Sequence, residues 1–497
     1  MRFRFEGKIR FYLKRLKNFW NEYKRNKMGM IGIAIVAFFI FLALFAPLLT
    51  PYDQYGGSRL AYKFAMPQWV TILPQYKDLP PTIEVPLNWT LIKESEYVDV
   101  RVGDELVINY TGGEEEASVL LGLNFTYSYS PPPAFETSFK WSVKIEPEGK
   151  VGYFAELTLL RGDDGEVYSI WDSNAKPASS MWERNANYAY KSIPSTTYTQ
   201  YAVVQIDSTD AWLVKQRFGL EYSSEALAKT IFSHKTEYSL MMHIYFKPKS
   251  ANATCTIKFL EFKQFRVLGR VHGVLGVDHE GRDIWSQLVY GSRPSLVIGI
   301  VTAIISSFIG LLVGVISGYF GGIIDETLMR VVDALICLPM LPLLMALVKL
   351  YGPSIWLIIT LVACFIWVSP ARVVRSQVLS IKEQPYIEAA KALGAGSFYI
   401  IIEHIVPNVL PSLFASMVLA IPDAILWEAA LSFLGLGDPK LMTWGRMLNN
   451  AYKLFGFRNF VWWWILPPGL AIAFLSIGFV FIGHGLDEIL NPRLRRR

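Results

Sequence analysis

The chain has 497 residues, of which 52% are hydrophobic and 18% charged, with a formal net charge of +6. A soluble protein of this length carries about 25% charged residues, and here the deficit sits in apolar stretches that hold almost no charge, while residues 51–270 are ordinary in composition. That distribution excludes a purely soluble protein, a disordered chain and a fibrous repeat. Three scattered cysteines (Cys255, Cys337, Cys364) exclude a disulfide framework and a paired-cysteine metal knuckle.

In chain order, residues 1–28 carry ten Lys/Arg against Glu6 and Glu22. Residues 30–50 follow without a single charge. A span needs about 20 mostly apolar residues to cross roughly 30 Å of hydrocarbon. The run is too long for the apolar core of a signal peptide, and Pro51-Tyr52-Asp53 follow it instead of a small-residue cleavage site. The sequence therefore predicts a retained first transmembrane helix over 30–50.

Residues 51–270 have a different texture, dense in Tyr, Ser, Thr and acids. Val98, Val100 and Val102 alternate with Asp99 and Arg101; Trp141, Val143 and Ile145 with Ser142 and Lys144; Cys255, Ile257 and Phe259 with Thr256 and Lys258. Alternation of this kind marks half-buried strands, and Gly112-Gly113, Pro147-Glu148-Gly149 and Asp163-Asp164-Gly165 supply the turns between them. Residues 223–232 predict a helix. The block reads as a β-rich, sandwich-like domain without an internal disulfide, since Cys255 is its one cysteine. Its Tyr and Trp fit the core of a docking or spacer domain better than a sugar- or peptide-binding surface. Four Asn-x-Thr sequons, at Asn88, Asn109, Asn124 and Asn252, all fall in this block and are candidate glycosylation acceptors.

The later apolar runs are 294–320; 331–348, with Asp333 and the breaks Pro339 and Pro342; 353–371; 409–434, with Asp423 and Glu428; and 461–483, opening on the interfacial aromatics Trp462-Trp463-Trp464. With the first, they make six spans. The basic amino terminus, the loop bearing Arg372, Arg375, Lys382 and Lys391, and the tail with Arg493, Arg495, Arg496 and Arg497 then fall on one side, which the positive-inside rule makes the cytoplasm. The expected organisation is a cytoplasmic basic segment (1–29), a first helix (30–50), an extracytoplasmic β-rich insert (51–270), an external lead-in (271–293), a five-helix core (294–484) and a basic cytoplasmic tail (485–497). The fold class is an all-α polytopic membrane protein with an inserted β-rich extracytoplasmic domain. Asp333 is expected to pair with Arg330.

No GxxxxGK[ST] sequence occurs, so no P-loop for ATP is present, and there is neither an HExxH motif nor a GxSxG elbow. No catalytic residues and no metal ligands are assigned. The informative segment lies at 386–407. Glu388 to Leu393 is a run of strong helix formers after Pro385, and Gly394 supplies a stop where positive φ is easily accommodated. The result is a short loop helix with small residues on one face, fit to dock in a partner's groove. An ordinary amphipathic loop helix fits these residues as well.

The segment resembles the EAA loop of ABC importer permeases: Glu388-Ala389-Ala390, three residues, Gly394, nine residues, then His404-Ile-Val-Pro407. His404 and Val406 replace the usual Ile and Leu, and the His-Ile-x-Pro-Asn form is similar to the dipeptide/oligopeptide branch. Further resemblances run in order along the chain: Lys27-Met-Gly-Met-Ile-Gly and Ala46 to Asp53, Leu275-Gly-Val-Asp278-His-Glu-Gly281-Arg282-Asp283, Gly318-Tyr-Phe-Gly-Gly322 with Asp325-Glu326, Leu431-Ser-Phe-Leu-Gly-Leu-Gly437, and Pro492-Arg493-Leu494. They cover 1–53 and about 272–497. Residues 54–270 are an insertion the family pattern does not contain, and Asp423 and His484 depart from it, standing where small and acidic residues respectively are expected.

The resemblance implies a type I ABC importer transmembrane domain, paired with a second homologous permease subunit, two cytoplasmic ATPase subunits and an extracytoplasmic solute-binding protein. ATP and magnesium would be held by those partners, and this chain would need no cofactor and bind no nucleic acid. It implies that Tyr386, Glu388, Ala389, Ala390, Leu393, Gly394 and Pro407 form the coupling helix that contacts an ATPase subunit. The implied cargo is peptides, with oligosaccharides or chelated nickel as alternatives. Asp423 and Glu428 are candidates for the translocation pathway, and for Asp423 a bond to the partner permease is weighed equally. Glu428, inside a family stretch, fits a structural role better than ligand contact. A membrane-anchored receptor acting through its external domain is the rival reading from another class.

Overall fold

The computed structural model describes residues 20–103, 105–113, 115–145, 151–173, 202–248, 253–262 and 264–490. Residues 1–19, the turn at 147–149, Asn252 and the basic tail 493–497 lie outside the described residues. The chain divides into two compact units, one formed by Met1–Gly57 with Asp283–Arg497 and the other by Ser58–Arg282.

The first unit is helical. Helix α1 (Lys27–Leu49) starts at Asn26, whose side chain accepts from the Gly29 N–H at 2.8 Å, satisfying one of the free donors of a first turn. Helix α2 (Ile284–Phe320) is capped in the same way by Asp283, which accepts from the Ser286 N–H at 2.8 Å. Then come α3 (Gly322–Cys337), α4 (Met340–Tyr351), α5 (Ile355–Ile366), α6 (Val368–Lys382), α7 (Pro385–Ala392), α8 (Val406–Phe433), α9 (Trp444–Lys453) and α10 (Trp462–Leu490). Among the described residues, five helices are long and apolar enough to cross a membrane: Lys27–Leu49, Ile284–Phe320, Ile355–Lys382, Ser397–Phe433 and Trp462–Ile489. The pair Gly322–Cys337 and Met340–Tyr351 makes a sixth if taken as one span, although the two are bent by 85°.

That bend is where the sequence reading of a single helix over 331–348 differs from the structure. Leu338 is extended (φ −73°, ψ 132°), as a residue before proline is driven to be, and Pro339 ends one helix and opens the next. Pro342 falls in the first turn of α4, where its missing N–H is harmless. Elsewhere the helices outrun the apolar runs: α2 begins ten residues before Pro294, and the span ending at Phe433 begins at Ser397.

Helices α2 and α6 approach through glycines. Gly310, Gly314 and Gly318 recur at every fourth position of α2 and meet Pro370, Ala371, Val374 and Val378 of α6. Without hydrophobic driving force in lipid, such small-residue stripes let backbones close to contact distance.

The second unit is two antiparallel sheets. Its strands are β1 (Ile83–Pro86), β2 (Thr90–Glu94), β3 (Val98–Val102), β4 (Leu106–Tyr110), β5 (Ala117–Thr126), β6 (Ala134–Ile145), β7 (Val151–Arg161), β8 (Val167–Asp172), β9 (Ala202–Asp207), β10 (Glu237–Pro248), β11 (Cys255–Leu260) and β12 (Gln264–Leu268). One sheet runs β1-β12-β6-β11-β4-β3 with β9 also on β6; the other runs β2-β5-β10-β7-β8. The alternating runs of the sequence are strands, because their apolar halves fill one core between the sheets: Ile108, Phe139, Ile257 and Phe259 from one, Leu121, Leu157 and Ile244 from the other. Cys255 is a free, buried thiol of this core, its pKa pushed up to about 12 by burial. The predicted helix at 223–232 is a shorter one, Ala226–Ile231.

Buried Arg161 fastens that helix. Its guanidinium donates to the carbonyls of Thr230 (3.1 Å) and Ile231 (3.2 Å), the unsatisfied acceptors of a helix end, and to both carboxylate oxygens of Asp164.

Candidate functional site

The loop between α6 and α8 is built on one anchor. Helix α7 has Pro385 in its first turn, and of its residues only Ile387 is buried. Ile387 seats among Val315, Val374, Val378, Ile400, Ile405 and Val409, a core drawn from α2, α6 and the start of the span Ser397–Phe433. Gly394 follows with φ +83°, donating its N–H to the Lys391 carbonyl at 2.9 Å, and Ala395 returns a bond to Ala390 at 3.0 Å. A left-handed residue here reverses the chain and ends the helix. The sequence reading of a short helix stopped at Gly394 matches this geometry.

The remaining face is open. Tyr386, Glu388, Ala389 and Gly394 are exposed and Ala390 half-buried, while Leu393 is 89%, Phe398 79% and Tyr399 56% accessible. Exposed apolar groups gathered in this way mark an interaction surface. Phe398 and Tyr399 were not singled out in the sequence; their place just after Gly394-Ala-Gly396 is the signal that could have found them. Pro407 is exposed in the first turn of α8. The His404 ring stands between Tyr386 (6.1 Å) and Tyr399 (5.7 Å), and Asn408 donates to the His404 carbonyl at 2.6 Å. The substituted His404 thus joins the aromatic side of the loop.

Ionic contacts tie the loop's neighbours together. Arg375 of α6 binds both oxygens of Asp325 of α3 at 2.6 Å each, and Ser317 of α2 donates to the same carboxylate. Lys382 donates to the Gly318 carbonyl at 3.0 Å, and Lys391 lies 5.9 Å from the Tyr319 ring centre. Asp333 pairs with Arg372 at 2.6 Å, not with Arg330 as expected; Arg330 instead faces Glu326, one helical turn back, at 3.8 Å. Proximity in sequence favoured Arg330, but the packing of α3 against α6 offers a closer guanidinium.

Asp423 and Glu428, both on α8, do not form one site. Five residues put them about 140° apart around the helix. Glu428 is buried and bonded by the hydroxyls of Ser432 (2.6 Å) and Thr443. Asp423 is exposed. In the second unit, Asn88 is exposed; Asn109 is half-buried in β4; and Asn124, on β5, is exposed and accepts from Ser239 at 2.7 Å.

Two family models match the chain. Residues 310–496 match the binding-protein-dependent transport system inner membrane component, and residues 14–81 the N-terminal TM domain of oligopeptide transport permease C. Among curated proteins, the dipeptide transport system permease protein DppC of Bacillus subtilis (strain 168) is 39% identical over 222 residues, 44% of this chain and 69% of that protein. The oligopeptide transport system permease protein OppC of the same organism is 37% identical over 44% of this chain and 72% of its own length. Among solved structures, the inward-facing MetNI methionine ABC transporter aligns at 21% identity over 42% of this chain and 96% of its own, with a TM-score of 0.34.

Proposed function

The chain belongs to the binding-protein-dependent transport permeases, and from that premise we infer that it carries di- and oligopeptides across the cytoplasmic membrane. It is a multi-pass permease subunit of an ABC importer; the ATPase of such a system is a separate subunit, and the family works with substrate-binding proteins. The peptide cargo is carried over from the curated relatives, whose names specify dipeptides and oligopeptides.

In this reading the bent pair α3–α4 counts as one span, giving six. Both termini then lie in the cytoplasm with the basic residues 1–28 and 493–497, and residues 51–290 lie outside with the candidate sequons. The partners are a second, homologous permease subunit, two ATPase subunits that hold ATP and magnesium, and an extracytoplasmic solute-binding protein.

Helix α7 is the coupling helix. The observation that carries this role is the contrast between buried Ile387 and the open face of Tyr386, Glu388, Ala389, Leu393 and Gly394. One side is fixed to the core shared by α2, α6 and α8, so a push on the other side is passed to three helices at once. Movement of the ATPase subunits and solute loading then bias one two-state equilibrium and must influence each other reciprocally. Purification of the chain from its native membrane in mild detergent tests the assembly: ATPase subunits, a second permease and a binding protein should accompany it. Recovery with surface proteins alone would favour a receptor. The captured binding protein, screened against peptides, oligosaccharides and chelated nickel, tests the cargo.

A further inference from the structure

Among the acids of the helical unit, Asp423 and Glu428 are set in opposite ways. Glu428 is buried and held by two hydroxyls. Asp423 is exposed, and the structure gives its carboxylate no hydrogen-bond or ion-pair partner among the described residues. Helix α8 has 28 residues, and Asp423 stands ten residues before Phe433, about 15 Å along the axis, which is mid-depth for a hydrocarbon layer of about 30 Å. A carboxylate at that depth is too costly to face lipid, so its side of α8 faces water or a cation.

The residues sharing that side agree. Ser412, Ser416, Trp427 and Ala430 lie eleven and seven residues before Asp423 and four and seven after it, spacings that fall on one face of a helix. None of them is buried. The face therefore offers a carboxylate and two hydroxyls, while the Trp427 indole packs against the cluster of Leu344, Val348, Ile358, Val362 and Leu431. A carboxylate binds a primary ammonium through a charge-assisted hydrogen bond, and a hydroxyl oxygen accepts from the same group. Anionic solutes are repelled by it.

We propose that Asp423, with Ser416 two turns before it on the same face of α8, is a recognition point for the cationic amino terminus of the cargo as it crosses the membrane. The proposal rests on the peptide-importer reading above and adds to it a specificity-determining residue.

The test uses the complete importer, with its partner subunits, in sealed vesicles, and a peptide with a free amino terminus. Asp423→Asn should lower uptake about tenfold, and Asp423→Glu should retain it within about threefold. Asp423→Cys, in a chain whose exposed Cys337 and Cys364 are replaced by Ser, should react with water-soluble thiosulfonates, and cargo should slow that reaction. Attaching a sulfonate-bearing reagent should restore uptake; attaching an ammonium-bearing one should not. Normal uptake by Asp423→Asn overturns the proposal, as does a thiol at position 423 that is unreactive. So does a reactive thiol that the sulfonate rescues but cargo leaves unprotected, the mark of a cation on the partner permease. A wild-type importer that hydrolyses ATP but carries no peptide overturns the peptide reading itself, and this proposal with it.

Discussion

Gly314 and Ala371 lie so close that a β-carbon on the glycine would stand 2.6 Å from the alanine carbonyl oxygen. A backbone oxygen cannot swing aside as a side-chain end can. Gly314→Ala should therefore destabilise the helical unit by about 1–3 kcal/mol, and Gly314→Leu by more, through forced separation of α2 from α6. Thermal unfolding of the purified permease in detergent reads this directly, and a melting point equal to wild type for Gly314→Leu would refute the contact.

Gly394 is a different case, because nothing lies within 4 Å of the position a β-carbon would take. A side chain there meets strain, not collision: φ is +83°, and a β-branched residue in the left-handed region costs about 1–2 kcal/mol. Gly394→Val should leave the chain in the membrane at normal abundance and abolish uptake, because the turn that aims the exposed face of α7 is lost. Undiminished uptake would remove the coupling role. Gly394→Asn, which tolerates positive φ, should fall between the two.

Glu428 predicts a stability effect where Asp423 predicts a transport effect. Glu428→Gln keeps an acceptor for Ser432 and Thr443 and should fold normally. Glu428→Ala leaves both hydroxyls without it and should lower stability by about 1–3 kcal/mol. Asp423→Ala should leave the melting point where it was. Equal melting points for the two alanine variants would contradict the assignment.

Acid should weaken the β-rich unit through Asp164. Its hydrogen bonds to Arg161, followed by the Glu166 N–H and the nearby charges, outweigh the opposing effect of desolvation and hold the carboxyl at a pKa of about 2. The folded value lies below the unfolded value of about 3.9, so the contribution is present above pH 4 and is lost as pH falls towards 2. In the full-length protein, tryptophan fluorescence should show the unfolding temperature of this unit dropping across that window, with a shallower drop in Asp164→Asn. An identical acid limb in the variant would exclude the contribution.

What the sequence revealed and what it hid divide along physical lines. The strand at 255–259 was legible because it buries one face, and burial of one face imposes alternation; those at 98–102 and 141–145 alternate in sequence although Val102 is exposed and Ser142 is buried. Helix α7 was legible because Pro385, the alanines and Gly394 are local signals that tertiary packing did not override. The bend at Leu338-Pro339 was only half legible: proline marks a break, but an apolar run looks the same whether its halves continue or turn by 85°. The pairing of Asp333 with Arg372 was out of reach, since it depends on which helix packs beside α3. So was the difference between Asp423 and Glu428, two acids in one apolar stretch whose surroundings are set by neighbours distant in the chain.

The routes into and out of the β-rich unit run side by side. Within that unit the Leu60 N–H donates to the Gly281 carbonyl at 2.7 Å, and within the helical unit the Asp283 N–H donates to the Gly56 carbonyl at 2.8 Å. A host loop interrupted by more than two hundred residues would ordinarily suffer a closure penalty that grows with the logarithm of its length. Here the folded guest joins its own ends, so the helices experience a connection only a few residues long. Such an arrangement behaves as a cassette. Sequence within the β-rich unit can then vary in length without altering the distance the helices of the other unit must span, and that variation is released from the constraints on the helical core.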